Sequence, residues 1–575
     1  MIVLFFSLTT VYGVTEEQKE QAIGNGTIWL ANQQNPGGSW GLWEQTAYTC
    51  FALIKLQDRA YELDFESPFD PNYEYSSNVT AGWNYIFGTD NFSNPLYVHS
   101  NTLSNQSHTG GASGTVDNPD SNSNGIGISF DSGIVHHKTY STGICLMALA
   151  SSGTPNRTND GGIDFDGDSN PDTFGQIAQD TADWTAYAQG DLGNDEGGWG
   201  YAAINNNVYE ATGNWTDNSN SGYAMMGLAA AEGFGCTVPP WVKTELNVWI
   251  NTIQDPVNGG SWYNPDWNFN PWVNELKTGN LIFEMTYYGD NEGVPRFDYA
   301  MDYIARHWND NNTDPGWRGD MGIDDDGDGL IDEDPLDAID NDGDGLFNED
   351  RGEKANYQAM FTLMKGFEYS GIELIDLDND SIAEHDWFDE FAQVILDQQN
   401  ADGSWSGCPL GNPILCTEWA LLTLEKISPP APKIEVYVDI KPSSCPNPIN
   451  TKSKGVLPVA LLGTEDFDVE TIDPATIQLK LNIGDEEFVE PIRWNYEDVA
   501  TPFEGETCGC HDANGDGFMD LSLKFSTLDV VALGIGDFAG QTIPLVLTGT
   551  LKEEYGGTPI EGQDCVWVLD KTKNK

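Results

Sequence analysis

The sequence predicts a multidomain α + β protein, a closed ring of six helical hairpins followed by a β-sandwich. Three observations carry that expectation. The phrase LANQQNPGGSWG, residues 30–41, returns as LDQQNADGSWSG, residues 396–407, with degenerate copies between them. Each copy is an amphipathic run that ends in a Gly-rich turn carrying an aromatic residue. Beyond the Pro-rich stretch SPPAP, Ser428–Pro432, apolar and polar residues alternate in strand fashion.

Length and charge set the limits. At 575 residues the chain exceeds one ordinary core and implies about two to four domains. With 39% hydrophobic residues and 19 Trp, it has the composition of folded protein. A formal net charge of −66 would be repelled by nucleic acid and by anionic membranes, which leaves cations as the natural partners. Two readings of the acidity compete: a halophile's coat with no specific ion, or carboxylates gathered at metal sites. Regular spacing of the Asp residues favours the second.

The compartment is predicted to be extracellular, either secreted or on the cell surface. Residues 1–13, MIVLFFSLTTVYG, read as an incomplete signal peptide that lacks a positive start, with a buried first helix as the alternative. Nine Cys and eight Asn-x-Ser/Thr sequons, Asn25, Asn78 and Asn214 among them, suit an oxidising exterior. No later stretch is apolar for long enough to span a bilayer.

The ring is predicted over residues 14–427. Besides the first and last copies, the motif is read at Ala81–Gly88, Trp184–Gly200, Trp249–Trp262 and Tyr303–Trp317, which makes six. A second, more apolar helix follows each turn. Its start is aligned at Thr46-Ala-Tyr48, Thr142-Gly-Ile144, Ser221-Gly-Tyr223 and Thr417-Glu-Trp419, with the Thr or Ser taken as N-cap. Such hairpins cannot bury their own faces and must stack. An open stack needs polar capping repeats, yet the first and last copies are the most alike, so the helix bearing Trp29 is expected against Phe388–Gln399. Trp40, Trp262 and Trp405 are expected to be largely buried.

Gln33 with Gly38-Ser39-Trp40, Gln254 with Gly260-Ser261-Trp262, and Gln399 with Gly403-Ser404-Trp405 resemble the QW repeats of squalene cyclases. These belong to the α/α-toroid superfamily of terpenoid cyclases and protein prenyltransferases. The resemblance covers roughly residues 15–427. It implies that the Gln bonds at helix ends and that the Trp packs between repeats, so it identifies architecture rather than activity. The cyclase Asp-x-Asp-Asp, the prenyltransferase zinc set and the thioester motif of complement-type toroids are not found. An enzyme would have to use Glu284 and Glu418 on inner helices, with Glu44, His136 and His137 just before them, as a polysaccharide lyase or hydrolase does. The alternative is that these are capping and solvated loop residues.

Five stretches place acids or amides at alternate loop positions, a pattern that aims oxygens at calcium. They are Asp164, Asp166, Asp168 and Asp172; Asp324, Asp326, Asp328 and Asp332; Asp340, Asp342, Asp344 and Asn348; Asp376, Asp378, Asp380 and Glu384; and Asp512, Asn514, Asp516 and Asp520. Gly follows at position six in three of them, Gly329, Gly345 and Gly517, while Ser169 and Ser381 replace it in the others. No loop has the Glu that closes an EF-hand at position twelve, so the expected affinity is weak, about 0.1–1 mM. The tandem pair resembles thrombospondin type 3 repeats and the Asp512 loop resembles those of integrin-type propellers. The tandem loops, the insertion 91–135 and the Cys408–Cys416 loop are expected to form a rigid collar over the ring's mouth.

Residues 428–433 are read as a linker and 434–575 as a β-sandwich that resembles a module appended to secreted prokaryotic proteins. Its Cys445, Cys508, Cys510 and Cys565 predict two disulfides of open pairing. Cys408 and Cys416, close together in a Gly/Pro-rich loop, are expected to pair, while Cys50 and Cys145 are expected to be buried thiols. The chain is thus read as a calcium-binding extracellular protein that binds a cell-surface or extracellular polymer or protein. A carbohydrate-active or terpenoid-type enzyme using the ring cavity is the alternative.

Overall fold

In the computed structural model the described residues are 14–569, apart from 43, 90–94, 105, 110–115, 132–136, 160, 192, 206–207, 210–214, 266–272, 310–315, 320–353, 378–384, 409–411, 428–433, 443, 465–466, 482–487, 503–514 and 553–558. The fold is mixed α and β and divides into two compact units, Met1–Ala431 and Pro432–Lys575.

The first unit holds twelve α-helices among its described residues, in six pairs: α1 (Glu16–Asn32) and α2 (Gln45–Glu62), α3 (Ser76–Ile86) and α4 (Lys138–Ser151), α5 (Phe174–Ala188) and α6 (Asn218–Gly233), α7 (Pro240–Ile253) and α8 (Glu275–Tyr288), α9 (Pro295–His307) and α10 (Tyr357–Ser370), α11 (Trp387–Asp397) and α12 (Pro413–Leu424). The even-numbered helices are buried on nearly every side, as their apolar composition requires. They pack in sequence, α2 on α4, α4 on α6, α6 on α8, α8 on α10 and α10 on α12, and α12 packs on α2. Gly143 and Gly227 permit the approach of α4 to α6, because a Cβ at either would fall within 3.0 Å of the facing backbone.

One bond pattern joins successive odd-numbered helices. Gln34 Nε2 donates to the Gly38 carbonyl of its own turn at 2.8 Å and to the Asn78 carbonyl of α3 at 2.9 Å. Gln189 does the same to Gly197 and to Val242 of α7, and Gln254 to Gly259 and to Arg296 of α9. Gln399 does it to Gly403 at 3.0 Å and to Ala22 of α1 at 2.9 Å. The last helix pair is therefore tied to the first by the bond that ties neighbours elsewhere. Gly38, Gly197, Gly259 and Gly403 all have positive φ, 95°, 80°, 93° and 93°. A Cβ at Gly197 would meet the Glu245 carbonyl oxygen at 1.9 Å, and one at Gly38 would meet that of Ala81 at 2.1 Å. Only Gly lets the turn lie so close to the next helix.

These contacts correct four details of the sequence reading. The first Gln of the bond pattern is Gln34 and not Gln33. The aligned Thr and Ser do not cap helices: Thr417 and Ser221 lie inside theirs and accept the backbone N–H of Trp405 and Trp199, each at 3.0 Å. Thr49, not Thr46, does this for Trp40 in the first pair, which shifts that copy by three residues. In the fourth copy the extra Gly260 moves the frame by one, so Ser261 takes the Trp position and bonds Thr278 at 3.1 Å. Trp262 is consequently only half-buried, while Trp40 and Trp405 are fully enclosed.

Cys408 and Cys416 are disulfide-bonded, as expected. Cys50 and Cys145 are not buried thiols: they form a second disulfide that joins α2 to α4 across 95 residues. Their separation hid the pairing, which depends on these two helices being neighbours. Cys236 is free.

In the second unit a four-stranded sheet runs in the order Tyr437–Ile440, Val456–Leu462, Asp520–Ser526, Arg493–Glu497. A five-stranded sheet has Pro559–Val568 and Thr542–Leu551 at its centre. Val459, Leu461, Leu523 and Phe525 of the first share one apolar core with Leu479, Leu545, Leu547 and Val566 of the second. Alternation along each strand supplies these inward residues. Cys445 and Cys565 each take part in a disulfide, while Cys508 and Cys510 lie outside the described residues. Among the described residues, no helix is long and apolar enough to cross a membrane.

Candidate functional site

Two of the five candidate catalytic residues, Glu44 and His137, stand immediately before even-numbered helices, and a third, Glu418, lies within one. Glu44, the N-cap of α2, holds a left-handed backbone at φ 47° and ψ 39°. That conformation costs a non-Gly residue about 1–2 kcal/mol and persists where its surroundings enforce it. Its Oε1 lies 2.7 Å from Nδ1 of His137, the residue before α4. This bond holds the imidazole above its ordinary pKa, against the opposing effect of burial.

Aromatic rings surround the pair. His137 stands 5.2 Å from the ring of Tyr201, whose hydroxyl is 3.2 Å from that of Tyr263. Tyr140 lies edge-on to Tyr223 at 5.1 Å, and Tyr223 to Phe51 at 5.9 Å.

Glu418, in α12, is fully buried, and among the described residues neither carboxylate oxygen has a hydrogen-bond partner. Burial pushes its carboxyl well above the usual range. The charges of Glu418 and Glu44 both act on Tyr48 and Tyr140, and burial with these neighbours raises both phenols. The two acids and the imidazole thus share one aromatic neighbourhood. A carboxyl kept protonated beside a carboxylate–imidazole pair can give a proton while the pair accepts one.

Glu284 does not join them. It faces the outer helix α7, where Trp249 Nε1 donates to its Oε2 at 3.2 Å. His136 lies outside the described residues. The tyrosines were missed in the sequence, although the aligned frame carried a signal: Tyr48, Tyr223 and Trp419 occupy its third position.

Among the acidic loops, Asp164, Asp166 and Asp172 bring one oxygen each within 4.8 Å of the others. Asp168 stays with the loop and accepts the Asn170 N–H at 2.7 Å. Burial, reinforced by Asp166, Asp164 and Asp168, pushes the Asp172 carboxyl up to about 6. Such convergence of exposed and buried oxygens fits a hard cation. Asp376 is described, but Asp378, Asp380, Glu384 and the whole tandem from Asp324 through Asn348 are not. Asp512 and Asn514 also lie outside the described residues. Asp520 accepts backbone N–H groups of Gly463, Val499 and Ala500. Asp498, absent from the sequence pattern, accepts those of Asp516 and Gly517.

The chain matches no family model and no curated protein sequence. The solved structure of cellobiose 2-epimerase from Bacillus thermoamylovorans B4167 is similar to it at a TM-score of 0.37 and 9% identity, covering 72% of this chain and 100% of that one. Similarity at that level carries no functional argument.

A second acidic group lies at the other end of α2. Asp58, Glu62 and Glu425 offer oxygens within 4.8 Å of one another, but Lys55, fully buried, is ion-paired with Glu425. The ammonium already occupies the place a cation would take.

Proposed function

We propose that this is a secreted, calcium-binding protein whose first unit is a closed α/α toroid and whose second is a β-sandwich. Its ring interior binds a neutral glycan and hydrolyses it by acid–base chemistry. Closure is supported by the Gln399 bond to α1. The unpaired, buried carboxyl of Glu418, set among tyrosines beside the Glu44–His137 pair, carries the catalytic reading. Aromatic faces and phenol hydroxyls suit sugar rings, and a chain of net charge −66 disfavours a polyuronate. Glu418 is the proton donor to the leaving oxygen, and the Glu44–His137 pair receives the proton of the attacking water.

Incubation with neutral polysaccharides, read as newly formed reducing ends, tests this. Glu418→Gln should lower kcat about 10²–10⁴-fold while leaving glycan binding and the helical melting curve in place. Binding without turnover in the unaltered protein would remove the enzymatic reading and leave a glycan-binding scaffold.

Calcium is the proposed ion of the Asp164 loop. With a Kd of about 0.1 mM, about 10 mM calcium would stabilise the fold by roughly 2.7 kcal/mol per site. Melting curves at fixed ionic strength should rise with calcium, less with magnesium, which demands a tighter octahedral shell. Asp164→Asn with Asp166→Asn should lose part of the gain. Equal responses to calcium and to matched sodium chloride would leave only a general acidic coat.

A further inference from the structure

Between the strands Val98–Thr102 and Ile126–Phe130, which pair antiparallel, the chain runs through Asp120-Ser-Asn-Ser-Asn-Gly125. Oxygen-bearing side chains fall on the first, third and fifth residues and Gly on the sixth. Two of the three are amides, so the run does not stand out among the Asp clusters.

Three backbone bonds of the Asp164 loop recur in it. Gly125 N–H donates to Asp120 Oδ2 at 2.8 Å, as Ser169 N–H does to Asp164 Oδ2 at 2.9 Å. Asn124 N–H donates to Asn122 Oδ1 and Ile126 N–H to Asn124 Oδ1, matching Asp168 to Asp166 and Asn170 to Asp168. The sixth residue has positive φ in both, 82° at Gly125 and 78° at Ser169.

Loop shape alone would leave an acidic turn, but α5 adds two buried acids. Asp180 and Asp183 are 2% and 0% exposed, and Asp120 is 7% exposed. Asp180 Oδ1 receives Asn122 Nδ2 and Asn124 Nδ2 at 2.8 and 2.9 Å, which fixes both amides with their oxygens on the loop side. Asp183, one turn along the helix, lies against Ser121 of the loop. Among the described residues, its Oδ2 and the Oδ1 of Asp120 have no hydrogen-bond partner. No ion pair among the described residues involves any of the three. Buried carboxylates without a counter-charge cost several kcal/mol each, and a divalent cation would offset that cost.

We propose a further calcium-type cation site formed by Asp120, Asn122 and Asn124 and closed from α5 by Asp183, with Asp180 holding the two amides in place. It ties the insertion between α3 and α4 to α5. The site stands on its own residues, whether or not the Asp164 loop binds an ion.

Native mass spectrometry of the full chain, equilibrated with calcium chloride, counts the bound ions. Asn122→Ala with Asn124→Ala changes only exposed side chains and should lose one ion from the unaltered protein's count. Asp183→Asn should lose the same ion, and Asp164→Asn with Asp166→Asn a different one. An unchanged count in both the Asn122/Asn124 and the Asp183 variants would overturn the proposal. Loss in those variants without loss in the Asp164/Asp166 variant would uphold this site and overturn the Asp164 loop. A chain that binds no calcium would overturn both.

Discussion

Trp405→Ala is expected to destabilise the first unit by about 3–5 kcal/mol, the range for truncating a large buried aromatic residue. Trp405 is fully buried, and its indole N–H donates to the Ile395 carbonyl at 2.7 Å. Its ring covers Gly26 of α1 so closely that a Cβ there would fall 2.6 Å from Cζ3. Truncation therefore opens a cavity between the last helix pair and the first, and it strands a buried carbonyl that costs about 1–3 kcal/mol. Trp262→Ala, in the out-of-frame copy, should cost less than about 2 kcal/mol because half-exposed side chains lose less. Urea titration followed by helical circular dichroism compares the two. Equal losses would show that the one-residue offset at Gly260 has no energetic meaning.

The helix pairs were legible because their signal is local. Periodicity, Gly-rich turns and the recurring Gln and Trp each lie within one copy. Register across copies was less legible, since an inserted Gly260 or a neighbouring Gln33 looks equivalent until the partner carbonyl on the next helix is known. Cys50 and Cys145 carried no mutual signal, because only packing of α2 on α4 brings them together. The same holds for the aromatic neighbourhood of Glu418: Tyr48, Tyr140 and Tyr223 come from three different helix pairs, and each alone reads as core. Asp120 was passed over for a chemical reason. Amides can ligate as acids do, but a search for repeated Asp does not find them, and the acids that accompany them lie on α5, more than fifty residues away.

The second large effect is expected at Lys55, which is fully buried in α2 and ion-paired with Glu425 at the end of α12. Lys55→Met should destabilise the protein by about 3–5 kcal/mol at pH 8, because it leaves a buried carboxylate uncompensated. Burial pushes the Glu425 carboxyl well above the usual range, Lys55 pulls it back, and Glu62 and Asp58 push it further up. Without Lys55 only the upward influences remain. An acid with a raised folded pKa binds more protons folded than unfolded, so between the unfolded value of about 4.3 and the folded one stability falls as pH rises, by up to about 1.4 kcal/mol per pH unit. The Lys55→Met defect should therefore shrink as pH falls from 8 towards 5, the reverse of an acid whose pKa is depressed by its partner. Lys55→Met with Glu425→Leu should recover most of the loss and much of the pH dependence, since a well-packed apolar pair can replace a buried ion pair at little cost. Urea midpoints at pH 5, 6, 7 and 8 measure both variants, and a pH-independent defect in Lys55→Met would mean that Glu425 is not the group left without its partner.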